Sequence, residues 1–219
     1  MEIQKLLEIY ARHPLIQRFA HVIQDGKFRH IRLSGLQGSS SALFFAALAT
    51  RSPQLLGAPL LFILPDEEEA AYFYQDLTQL LGDEYVLLFP SSFKRAVKYG
   101  QRDSANIILR TQALSRLLSP GRPLFLVASP QAMAERVEDS TQLKRHTLEI
   151  SLHQHLDIMQ VQQTLLELGF QRTDYVYEPG QFSLRGSLLD VYSYSCEYPY
   201  RVDFFGDEVD SIRLFDVQD

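Results

Sequence analysis

The one segment whose spacing could handle a nucleotide is Gly35-Leu36-Gln37-Gly38-Ser39-Ser40-Ser41-Ala42. It lies between an alternating stretch read as a strand and an apolar stretch read as a helix, where a phosphate loop belongs. The working pattern is G-x-x-x-x-G-K-[ST], and Gly35 fits its first position. Ser40 replaces the second glycine, Ser41 the lysine and Ala42 the hydroxyl residue. Lysine supplies positive charge to the β- and γ-phosphates, and the hydroxyl after it holds Mg²⁺. Neither function survives here, so the loop (Gly35, Gly38, Ser40, Ser41, Ala42) is read as a non-functional remnant with a fold role only. Its helix dipole leaves weak anion binding conceivable. No Asp-Glu pair follows an apolar strand as a Walker B requires; Pro65-Asp66-Glu67 reads as a turn and helix cap.

A second set of residues suits recognition rather than catalysis. In residues 200–205 (YRVDFF) a period of two puts Tyr200, Val202 and Phe204 on one face and Arg201, Asp203 and Phe205 on the other. The first face is core. A large aromatic beside an arginine on the second has the composition of an interface anchor. Arg185 precedes Gly186 near the neighbouring strand, and Arg213 lies on the strand that returns. The competing reading buries Phe205 under a helix and pairs the arginines internally with Asp203, Asp207 or Glu208. Asp190, Asp207 and Asp210 read as turn or strand-edge residues that face solvent.

The remaining candidates carry less. His153 and His155 are too few for a metal site, and no cysteine or acidic cluster adjoins them. Cys196 is the only cysteine of the chain, which rules out an intrachain disulfide and fits a reducing cytosol. Residues 91–145 hold ten Lys/Arg against four acids. Lys94, Arg95, Lys98, Arg102 and Arg110, with Phe93 and Tyr99 interleaved, form the best nucleic-acid patch, set against a plain solvated basic face. Residues 59–84 carry seven acids and no Lys/Arg, so the charge is polarised along the chain. The net charge of −6 argues against a general DNA-coating role.

The elements that must position these residues follow from periodicity. At roughly 100–200 residues per domain, a 219-residue chain makes one large domain or two small ones. Helical spacing covers residues 3–26 with a break at Pro14. A strand is expected over 28–34 and a buried helix over 39–49. Apolar strands at 60–64, 85–89 and 124–128 then alternate with helices at 67–81, 104–118 and 130–137, which predicts a parallel sheet covered on both faces. A strand at 148–152 and a helix opened by Asp157 follow. Period-two segments at 187–192, 200–205 and 209–215, the last two joined at Gly206-Asp207, complete an antiparallel sheet. The fold class is therefore α/β: a parallel-sheet domain over 1–143, then a small α+β domain with an antiparallel sheet over 144–219. No apolar run approaches the ~20 residues of a membrane span, and no signal-peptide pattern opens the chain. A cytoplasmic location is expected.

The residues from Gly169 onward carry a resemblance. Gly169-Phe170, YVYEPG at 175–180, QFSLRGSLLD at 181–190 and YRVDFFGDEVDSIRLFDV at 200–217 resemble the ordered motifs of UvrB and of the front of the bacterial transcription-repair coupling factors. The decayed loop favours the coupling-factor family over a working UvrB, and no aromatic-rich DNA hairpin follows Phe45. The resemblance implies a degenerate P-loop-type, RecA-like first domain and a UvrA-binding second domain. It implies that Arg185, Arg201 and Phe205 contact UvrA, the arginines through carboxylates and Phe205 through an apolar pocket. It also implies a fragment of a longer protein. In that family, RNA polymerase and DNA are met by later domains, which also use ATP and Mg²⁺; no cofactor is expected for these residues.

Overall fold

The computed structural model describes residues 3–51, 59–93, 103–118, 125–137 and 139–217. The chain divides into two compact units, Met1–Ser91 with Ala113–Glu135, and Ser92–Gln112 with Arg136–Asp219.

The first unit opens with α1 (Ile3–Ala11) and α2 (Pro14–Asp25). Pro14 starts α2, where its missing N–H costs nothing, and Gly26 ends it at φ 60°, a left-handed value that favours glycine. Then come α3 (Ser40–Arg51), β1 (Leu60–Ile63), α4 (Glu67–Leu81), β2 (Val86–Phe89), α5 (Ser104–Leu118), of which the part from Ala113 onward belongs to this unit, β3 (Phe125–Ala128) and α6 (Pro130–Ala134). The Asp66 carboxylate accepts the Glu69 N–H at 2.9 Å, and the three acids Glu67, Glu68 and Glu69 suit the positive end of α4. The strands run parallel in the order β1-β3-β2. On one face Leu7, Ile16, Ala42, Leu48, Phe73 and Leu77 join Val86, Phe125 and Val127 in one core. On the other, Ala113 and Ala132 cover Phe89, Leu126 and Ala128.

That cover is incomplete, contrary to the expectation of a sheet sealed on both sides. Leu61 and Ile63 of β1 are 45% and 55% exposed. The strand expected over 28–34 is also absent. Those residues are irregular and exposed, and no described strand pairs with them.

The second unit contains α7 (Ser140–Arg145), α8 (Ile158–Glu167), β4 (Gln171–Arg172), β5 (Gln181–Arg185), β6 (Leu188–Tyr192), β7 (Tyr200–Phe205) and β8 (Glu208–Leu214). Its sheet runs β4-β5-β6-β7-β8. The antiparallel pairings of β6 with β7 and β7 with β8 match expectation; β5 adds a third, and the two-residue β4 a parallel edge. Val161 and Leu165 of α8 pack on Phe182, Leu189, Val202, Phe204 and Val209. Residues 148–152 form no strand. The segment just after them bonds to β8 and the turn before it instead: His153 N–H donates to Val209 O at 2.9 Å and Leu156 N–H to Asp207 O at 2.7 Å. Among the described residues no helix is long and apolar enough to cross a membrane.

Candidate functional site

α8 covers one face of the five-stranded sheet, and the other face carries the residues singled out from sequence. Period two selects the residues of that other face. On β5 they are Gln181, Ser183 and Arg185; on β6, Leu188, Asp190 and Tyr192; on β7, Arg201, Asp203 and Phe205. Asp190 faces Ser183 on one side and Arg201 on the other.

The three residues singled out from sequence therefore share this face, with different surroundings. Phe205 is 83% exposed at the end of β7, directly before the Gly206 turn, so the reading that buried it under a helix is set aside. The arginines do pair internally, but with none of the acids expected. Arg201 grips Asp190 with its Nε at 2.7 Å from Oδ1 and its Nη2 at 3.0 Å from Oδ2. The Arg185 Nη2 donates to Oδ2 at 2.7 Å. Asp190, read from sequence as a residue facing solvent, is buried, with only 2% of its surface exposed. The hydrogen bond to Asp190 raises the Arg201 pKa above its ordinary value, the carboxylate's charge adds to this, and desolvation partly opposes it.

Two aromatic rings complete the arrangement. The Arg185 guanidinium lies 4.7 Å from the centre of the Tyr175 ring, and that of Arg201 lies 4.3 Å from the centre of Phe215. Both arginine side chains keep about a third of their surface in solvent, at 36% and 30%. Arg185 also lines a cleft of 360 Å³ with Arg172, Tyr175 and Ser183. Arg213 sits opposite Arg201 on β8 and is exposed. The face thus carries three arginines, two of them held by Asp190, with a large exposed aromatic at its rim.

Sequence reading missed Asp190, Tyr175 and Phe215. A signal existed for Asp190. An acid in the middle of the apolar strand LLDVY, between strands that each carry an arginine, needs a cationic partner once buried. Nothing comparable marked the two rings, because which aromatic lies over which guanidinium depends on loop geometry.

The loop over residues 35–42 leads directly into α3. Gln37 N–H, a donor that could face an anion, is taken by the Ser40 hydroxyl. Ala42 is fully buried in the core behind the loop, which accounts for a residue there without a hydroxyl. Of the basic stretch, Lys94, Arg95, Lys98, Arg102 and Tyr99 lie outside the described residues. Arg110 is buried and so does not belong to an open cationic face. His153 and His155 meet Glu208 and Asp207 at 3.0 and 3.2 Å. Among the described residues no group of three or more His, Cys, Asp or Glu could hold a metal ion.

Residues 148–219 match the family model described as the UvrB interaction domain. The chain is 31% identical over 188 residues to a transcription-repair-coupling factor of Bacillus subtilis, a match covering 85% of this chain and 16% of that protein. It is 31% identical over 207 residues to the corresponding factor of Myxococcus xanthus, covering 91% of this chain and 17% of that protein. It is 28% identical to UvrABC system protein B of Thermotoga neapolitana, covering 84% of this chain and 29% of that protein. The chain therefore spans about one-sixth of the length of these coupling factors.

Proposed function

The chain is a UvrB-like module related to the transcription-repair-coupling factors and to UvrABC system protein B, and on that premise we propose that its UvrB interaction domain docks UvrA. Binding of UvrA by this module brings nucleotide excision repair to a stalled RNA polymerase. The polymerase, DNA and ATP-driven translocation belong to the remainder of a coupling factor, and the module itself does no nucleotide chemistry.

The observation that carries this reading is Phe205, a phenylalanine with 83% of its surface in water on the sheet face that also carries Arg185 and Arg201. Isolated exposed apolar residues are common. A bare phenylalanine on a face with partly exposed guanidiniums has the make-up of a binding hot spot, where aromatic and arginine side chains dominate. Phe205 fills an apolar pocket on UvrA while the arginines meet its carboxylates.

Calorimetric titration of the purified chain with UvrA tests this. The native chain associates, and the double substitution Arg201→Ala with Phe205→Ala abolishes the heat of binding while the protein stays folded. Unchanged association by the folded double variant removes the assignment.

A further inference from the structure

Asp190 does something that recognition alone does not require. Its carboxylate is nearly inaccessible, with a side chain only 3% exposed, and cannot itself reach a partner. Yet it accepts three guanidinium hydrogen bonds, two from β7 and one from β5, and so ties the three central strands of the face together. A buried carboxylate without such partners would be strongly unfavourable. The dependence also runs the other way. Long arginine side chains lose much rotamer freedom when a partner fixes them, and here that freedom is already spent. The rings of Tyr175 and Phe215 restrict the guanidiniums further.

Charge and donor counts show what remains. One carboxylate neutralises one of two guanidiniums, so the trio keeps one positive charge. Each guanidinium has five N–H donors. Arg201 uses two of them on Asp190 and Arg185 uses one; among the described residues the others have no protein acceptor.

We infer that Asp190 is a positioning residue of the UvrA-docking face, holding Arg185 and Arg201 as one rigid, net-positive pair whose unused donors take a carboxylate of the partner. The inference rests on the docking proposed above. It deepens that proposal by locating specificity in a residue that contacts the partner only through others.

Asp190→Asn makes the decisive test, because charge and positioning predict opposite signs. The substitution makes the face more positive. Were charge alone at work, an acidic partner surface would associate faster and bind more tightly. Positioning predicts at least tenfold weaker binding to UvrA, with the two Arg201 Nη ¹⁵N signals separate in the native chain and merged in the variant as the guanidinium turns freely. Tighter or equal binding by folded Asp190→Asn overturns the inference. Arg185→Lys decides the matter if Asp190→Asn does not fold. It keeps the charge and loses the planar fork, so a fall of several-fold in affinity supports positioning and equal affinity refutes it. Phe205→Ala, measured alongside, separates the two levels. If Phe205→Ala leaves UvrA affinity unchanged, the docking proposal fails. The Arg201 signals then judge Asp190 alone: merging in the variant upholds its holding role, and identical spectra end it.

Discussion

Phe205→Ala separates binding from folding more cleanly than any other change to this chain. With 83% of the residue in water, truncation removes almost no internal packing, and the thermal midpoint should move by no more than a surface substitution moves it, within about 0.5 kcal/mol. The effect on docking is large. A phenylalanine contributes roughly 150–250 Å² when fully buried. Covering the exposed part of that at about 25 cal/mol per Å² stabilises a complex by about 4 kcal/mol. Alanine retains some of this area, and ordering the contact costs part of the gain, which leaves a loss of about 2 kcal/mol, in the range of a hot-spot residue. That corresponds to about a thirtyfold rise in Kd. Titration calorimetry of native and variant chains against UvrA, with thermal melts of both, reads the two quantities together. A folded variant with Kd within twofold of native would refute the reasoning, and so would a variant that has lost several kcal/mol of stability.

Three further outcomes follow. Gly180→Ala should destabilise by about 2–4 kcal/mol in urea unfolding, because φ is +88° and the new Cβ would fall on the Tyr194 hydroxyl. Adding Tyr194→Leu should recover the steric part of that loss and leave the backbone strain. Millimolar Mg-ATP should leave the thermal midpoint unchanged, since the remnant loop lacks lysine and hydroxyl; a shift of several degrees that disappears on changing Gly35 or Gly38 would restore nucleotide binding. Alkaline unfolding should track Tyr200, whose hydroxyl is pushed up to about 12, first by hydrogen bonding to Cys196, then by burial and the charge of the thiol. The unfolded chain releases this proton near 10. Between about pH 10 and 12 the native state therefore binds more protons, and stability falls as pH rises. Tyr200→Phe should flatten that decline, and an unaltered profile would show that another group governs it.

Much of the fold was legible because local signals agreed with the final packing. The helix over 67–81 was readable to the residue: Asp66 caps it, three acids suit its first turn, and Phe73 and Leu77 recur on its inner side. Residues 104–118 were equally clear. Residues 28–34 were misread because alternation marks a strand only where a ladder is available, and no described strand offers them one. Residues 148–152 were misread for a related reason. The Gln154 side chain takes the Ser151 N–H at 2.9 Å and His153 adopts φ 63°, so the chain turns before it pairs. The helix α7 was missed because STQLKR shows only one apolar residue; Asp139, which accepts the Thr141 and Gln142 N–H groups, was its sole marker.

The candidate face was legible in its alternation and not in its chemistry. Period two placed Arg201 and Phe205 together, as the structure does. Which acid the arginines hold depends on strand register, and register depends on turn geometry that sequence specifies weakly. Asp190 lies eleven positions before Arg201 in the chain, and only the pairing of β6 with β7 sets the two side by side.

The central claim is that UvrA docks on the open face of the five-stranded sheet. Amide hydrogen exchange of the chain with and without UvrA tests it most directly, because it reports where protection arises. Slowed exchange in peptides spanning residues 181–188 and 200–208, with the helix at Glu67–Leu81 unaffected, is the predicted result. Protection confined to the first unit, with β7 and its turn exchanging as in the free chain, would contradict it.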